Sequence, residues 1–168
     1  ILHSISSCFL LEINKIFSNK KIILLEGNLT ENDSKWSALI ANMNLKKLDV
    51  YSNMLKSNYQ TIISNSMVIK MSKIEILKYF KNGNLFNKKA LYFLAKLGFE
   101  RTRKNEISEF LFEEKYKFLY VIGSRKIMKK TFDFIVSNKI NYSFFENCGH
   151  YPMLEKSSKV LKIIKKTR

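Results

Sequence analysis

Two short runs constrain the fold more than anything else in this chain. "KKIILLE" and "KFLYVIG" are dense in Ile, Leu, Val and aromatic residues, with no polar residue at alternate positions. A strand with one wet face alternates, whereas a strand covered on both faces reads as a continuous apolar run. Both runs are therefore expected to be interior strands of a parallel sheet with helices on either side. Parallel neighbours need a crossover between them, and the rest of the chain has the periodicity to supply it. Ser6 to Phe17 has helical spacing, with Cys8, Phe9, Leu11 and Ile16 available for a buried stripe. Trp36 to about Phe112 is helical in pattern, without a strong strand signal. "KIMKKTFDFIVSN" reads as a helix with Ile127, Phe132 and Ile135 near one face. "INYSFF" is a further strand and "SSKVLKIIKK" a last amphipathic helix. The order is helix, strand, helical insertion, strand, helix, strand, helix, which is an α/β arrangement.

Local punctuation agrees with this order. Thr30 and Asp33, and again Ser72 and Glu75, have the spacing of a capping box. Gly83 and Gly98 are each expected to stop the helix before them.

Composition narrows the function classes. The apolar fraction of 46% is enough for a packed core. No apolar run reaches the roughly 18–20 residues of a membrane span, and no secretory leader is expected from the first residues. Cys8 and Cys148 lie far apart without metal spacing, so a reduced, cytoplasmic setting is the simplest expectation. The net charge is +16. The excess is nearly all lysine, with arginine only at 101, 103, 125 and 168. Specific nucleic-acid readers favour arginine forks, so the charge reads as a solvated lysine surface rather than a nucleic-acid site.

In a parallel α/β sheet, functional side chains gather at the carboxyl ends of the strands. Ser4, Glu26, Gly123 and His150 all fall at or just after such ends. A serine hydroxyl is a weak nucleophile at neutral pH. It needs a base to take its proton and a carboxylate to hold that base in the right tautomer. Ser4, His150 and an acid would form such a set. Gly149 permits a tight loop beside His150, and Pro152 prevents an immediate helix. His3 reads as a packed or hydrogen-bonded neighbour. Cys148 reads as a small buried residue, since no activating partner is evident.

The stretch Leu2-His3-Ser4-Ile5-Ser6-Ser7 resembles the nucleophile elbow of the α/β-hydrolase fold family, with both pattern glycines replaced, by Leu2 and Ser6. The strand ending "LLEG", the helical interval, the "VIGS" strand and "CGHYPMLE" follow in family order. The chain looks like the C-terminal part of such a protein, beginning at the elbow. The resemblance implies core segments at 1–35 and 114–168, with a helical lid at 36–113. It implies Ser4 as nucleophile, His150 as base and the Ile5 amide as one oxyanion donor. Many members carry the acid in a G-x-x-D turn after the penultimate strand, where this chain reads Gly123-Ser124-Arg125-Lys126. Other members place it after the strand that follows the nucleophile helix, where Glu26 stands. Glu26 is preferred, with Asp33 and Asp133 as lesser candidates. The implied activity is hydrolysis of a carboxylic ester or related small acyl substrate, with no metal and no organic cofactor. A non-catalytic binding module of the same fold is the alternative, favoured by the glycine replacements.

Overall fold

The computed structural model describes residues 1–79, 87–123 and 129–167. β1 (Leu2–His3) leads into a 3-10 stretch (Ser4–Phe9) and α1 (Leu10–Ile16). β2 (Ile22–Leu25) follows, then a short 3-10 turn (Glu31–Ser34) and α2 (Lys35–Ala41). The long α3 (Leu45–Asn65), α4 (Lys73–Tyr79), α5 (Lys88–Arg103) and α6 (Glu106–Glu113) come next. β3 (Phe118–Gly123), α7 (Lys129–Ser137), β4 (Tyr142–Phe145), α8 (Pro152–Glu155) and α9 (Ser157–Lys166) complete the order. Among the described residues the four strands form one sheet in the order β1-β2-β3-β4, every pair parallel.

The unbroken apolar runs have the reason expected of them. In β2, Ile22 and Leu24 face a cluster with Leu10, Ile107, Leu111 and Ile135. Ile23 and Leu25 face the opposite side, with Val121, Phe145, Val160 and Ile164. All four β2 residues are buried. Burying each such side chain contributes roughly 1.5–3 kcal/mol relative to leaving it in water, so both faces are under strong pressure to stay covered.

The described residues of the interval 36–113 contain helices and no strand. α2, α3 and α5 close around Ile40, Leu48, Leu55, Leu91 and Ala95, with Ile5 packed against them. The far end of α3, with Tyr59 and Ile63, and Met67 just beyond it pack against Tyr151 and Leu154. The helical interval therefore touches the sheet's carboxyl end at two places, beside Ser4 and beside His150.

Four local expectations need correction. The stretch from Ser6 is not one continuous α-helix: it begins as a 3-10 turn and becomes α-helical only at Leu10. This moves the buried stripe, so that Leu10 is fully buried while Ile16 is 72% exposed. Gly98 does not stop a helix, because α5 continues to Arg103. A side-chain carbon there would stand 3.2 Å from Ile5 Cγ1, so Gly98 lets α5 cross close to the turn after Ser4. Pro152 does not prevent an immediate helix: it opens α8, at the first helical position, where its missing N–H costs no helical bond. Gly83, Lys126 and Ile127 lie outside the described residues.

Both capping boxes form. The Thr30 amide donates to Asp33 Oδ2 at 3.0 Å. Ser72 and Glu75 exchange reciprocal bonds, Ser72 N–H to Glu75 Oε2 at 2.9 Å and Glu75 N–H to Ser72 Oγ at 3.2 Å.

Candidate functional site

Parallel strands deliver their following loops to one end of the sheet, and the four here deliver Ser4, Glu26, Gly123 and His150. Ser4 follows β1 directly and has φ 52°. Glu26 follows β2 directly and has φ 49°. A non-glycine residue in this left-handed region costs on the order of 1–3 kcal/mol and persists only where its surroundings hold it. For Ser4 the surroundings are identifiable. Ser6 Oγ accepts from the His3 amide at 2.7 Å and lies 2.6 Å from the His3 carbonyl oxygen, to which it donates. The Asn28 amide donates to the Ser4 carbonyl at 3.3 Å. A serine at position 6 thus closes the turn by hydrogen bonds. Leu2 is a buried strand residue in register with Leu24.

Ser4 Oγ lies 2.8 Å from His150 Nε2. His150 Nδ1 lies 3.6 Å from Glu26 Oε2, beyond hydrogen-bond range but close enough for direct attraction between the two groups. The other carboxylate oxygen of Glu26 accepts from the Gly123 amide. Exposure falls along the series, with the His150 side chain 31% exposed and that of Glu26 11%. The acid is thus shielded from water while the imidazole is half open. Gly123 makes this convergence possible. A methyl group on it would lie 2.5 Å from the Gly149 carbonyl oxygen and 2.8 Å from that of Cys148. Tyr120, buried in β3, donates its hydroxyl to the Gly27 carbonyl and braces the turn after Glu26.

The lesser acids have other partners. Asp33 accepts from the Leu29 and Thr30 amides and from the Thr131 hydroxyl, tying the loop after β2 to α7. Asp133 pairs with Lys129 at 2.6 Å on the exposed side of α7. The Ile5 amide lies in the first turn of the 3-10 stretch, where N–H groups have no acceptor within the helix. Its side chain is held against α5 at Gly98.

His3 is the packed and hydrogen-bonded neighbour expected of it. Its Nε2 donates to the His150 carbonyl at 2.7 Å, which leaves Nδ1 as the unprotonated nitrogen of the neutral ring. Its ring centroid is 4.8 Å from that of His150 and 5.4 Å from that of Tyr151. Burial, and then repulsion from His150, lower its pKa to about 4. His3 is therefore uncharged at neutral pH and does not oppose a proton arriving on His150.

This depression has a measurable consequence. Between about 6.5 and about 4 the unfolded chain binds a proton on His3 that the folded chain does not. Stability from this group is therefore complete above pH 6.5 and is lost as pH falls towards 4, by about 3 kcal/mol in all. Urea unfolding at pH 7.5 and 4.5 should show that loss. His3→Gln keeps a donor but cannot titrate, so its pH dependence should be flatter than that of the parent. An equal slope in the two proteins would contradict the assignment.

Cys148 is buried beside Gly149, and burial pushes its thiol up to about 12, with Glu155 and Glu26 adding to the effect. Burial likewise raises Cys8 to about 11. Both are protonated at neutral pH and are poor nucleophiles. Among the described residues no group of three or more His, Cys, Asp or Glu side chains could hold a metal ion. Three surface clefts of about 470–550 Å³ lie away from Ser4. The largest, lined by Lys20, Lys21, Ile164 and Thr167 among others, sits at the amino-terminal ends of the strands.

Sequence reading missed one residue of this neighbourhood altogether. Glu155 is 8% exposed, and its carboxylate accepts from Gly149 and Tyr151 on either side of His150. No protein-family model matches the chain, and no curated protein matches it.

Proposed function

We propose that the chain is a serine hydrolase of the α/β-hydrolase fold, acting on a carboxylic ester or related small acyl substrate. One observation carries the reading: a serine with positive φ at a strand end, its hydroxyl 2.8 Å from an imidazole delivered by another strand end. Backbone strain at a reactive side chain points to function more than to folding. The Glu26 carboxylate on the far side of the same imidazole adds to it.

In this reading Ser4 Oγ attacks the acyl carbon as its proton passes to His150 Nε2. The carbonyl π electrons move onto oxygen, and the Ile5 amide donates to the resulting oxyanion. Collapse expels the alkoxide, which takes the proton from Nε2, and an acyl-Ser4 ester remains. Water then repeats the cycle with His150 as base, releasing the acid and restoring the hydroxyl. Glu26 holds the imidazole with Nδ1 protonated and stabilises the imidazolium. Closing the 3.6 Å gap is within the tightening that such sites undergo with substrate bound. The helical interval 36–113 serves as a lid. Residues 1–35 and 114–168 form the core, and the buried thiols fit a reducing cytoplasmic setting.

Turnover of short-chain p-nitrophenyl esters, with irreversible inhibition by a fluorophosphonate, tests the reading. A protein that folds but neither turns over esters nor reacts with the probe is instead a binding module on the same fold.

Among the described residues no helix is long and apolar enough to cross a membrane. Some exposed lysines are engaged with carboxylates, Lys88 with Asp49 and Lys129 with Asp133 among them. Because the excess positive charge is almost all lysine, binding to duplex DNA or anionic vesicles should be weak and vanish by about 0.15 M salt, where exposed charges are screened within about 8 Å. Tight binding that survives that salt would overturn this part of the account.

A further inference from the structure

The Glu155 carboxylate divides its two oxygens between two distant stretches of chain. Oε1 accepts from the Gly149 amide at 2.9 Å and the Tyr151 amide at 3.3 Å. Oε2 accepts from the Val68 amide at 2.7 Å and the Ile69 amide at 2.9 Å. Between these two pairs, the His150 amide donates to the Ser66 carbonyl at 2.9 Å. The stretch 66–69 immediately follows α3, and α3 ends against Tyr151 and Leu154. Gly149 is needed for the approach: a side-chain carbon there would stand 2.9 Å from Glu155 Oε1 and from Met67 Cα, and closer still to the Ser66 oxygen. A buried carboxylate whose lone pairs are filled by N–H groups of two segments is a strong, directional tie. It is stronger than apolar packing at fixing an angle.

We infer that Glu155 is the positioning residue for His150, and that it couples the helical interval to the base. Displacing 66–69 moves Gly149 and Tyr151 through the shared carboxylate. The distance between His150 Nε2 and Ser4 Oγ is then set by where the end of α3 sits. A substrate that shifts the helices adjusts its own general base. The consequence for turnover rests on the hydrolase reading; the mechanical coupling does not.

Two variants test this in the full-length protein. Glu155→Gln keeps one carbonyl oxygen for one pair of donors and turns an amide N–H towards the other pair. Ile69→Pro deletes a single donor on the α3 side and leaves the carboxylate in place. Amide hydrogen exchange is read at Val68, Gly149, His150 and Tyr151, and at Ile69 in the parent and the Gln variant. Coupling requires that Ile69→Pro raise exchange at Gly149 and Tyr151 at least about tenfold, with exchange in β2 and β3 unchanged. Faster exchange confined to the stretch near residue 69 would overturn the proposal, whether or not Glu155→Gln folds. In the second readout, Glu155→Gln should slow fluorophosphonate labelling about ten- to a hundredfold and shift the pH midpoint of labelling. A merely structural role would leave that midpoint in place, so a parental midpoint and rate also overturn it. If the parent itself fails to label, the hydrolase reading falls and the exchange experiment alone decides the coupling.

Discussion

Replacing His150 with alanine should lower ester turnover by about 10⁵–10⁶-fold, the largest loss expected of any single side chain apart from Ser4. The Ser4 hydroxyl is bonded at 2.8 Å to the only imidazole nitrogen placed to take its proton among the described residues. His3, the other histidine of the chain, spends its Nε2 proton on the His150 carbonyl, and its pKa of about 4 makes it a weak base. Losses of this size follow when one member of a serine–histidine pair acting as a unit is removed. The fold should survive, because the His150 side chain is 31% exposed and the tie between its loop and 66–69 runs through the His150 amide and the Glu155 carboxylate, not through the imidazole. Circular dichroism and thermal unfolding close to the parent, with turnover at background, is the expected pair of results. Near-parental turnover would remove His150 from the mechanism.

The second large effect concerns the acid. Glu26→Gln should lower turnover by about 10³–10⁴-fold with KM little changed. Glutamine can still accept the Gly123 amide bond, so the turn keeps its shape. What changes is the group facing His150 Nδ1 across 3.6 Å. A neutral amide neither stabilises the imidazolium nor enforces the tautomer in which Nε2 is the base. Asp33→Asn and Asp133→Asn should behave differently. The first loosens the tie to Thr131 and lowers stability, and the second breaks an exposed pair worth well under 1 kcal/mol. Neither should cut turnover by more than a few-fold. A large loss in either, with Glu26→Gln near normal, would show that the acid is elsewhere.

How much of this was legible beforehand depends on the range of the interaction. The interior strands were legible because burial on both faces writes itself into four or five consecutive residues. Both capping boxes were legible because their partners are three positions apart. The placement of Ser4, Glu26 and His150 followed from the rule that parallel strands present their carboxyl ends together, and the distances agree with it at 2.8 and 3.6 Å. Gly98 was misread because a glycine after an apolar stripe looks the same whether it ends a helix or lets one cross another chain. Only the neighbour, Ile5, distinguishes the two. Ser6 read only as a small replacement for an elbow glycine, because its two bonds to His3 depend on a 3-10 turn that periodicity does not reveal. Glu155 was invisible because two of its four donors lie 86 and 87 positions earlier in the chain. Nothing near it in sequence announces a buried carboxylate.

The most direct test of the central claim is to locate the bond that a serine-directed probe forms. The folded protein is treated with a fluorophosphonate, its intact mass recorded, and the modified peptide sequenced by tandem mass spectrometry. The account predicts one adduct per chain, on Ser4. The adduct should be absent from Ser4→Ala and from heat-unfolded protein, and it should form far more slowly in His150→Ala. Addition at another serine or at a tyrosine, or at Ser4 with equal speed in His150→Ala, would contradict it.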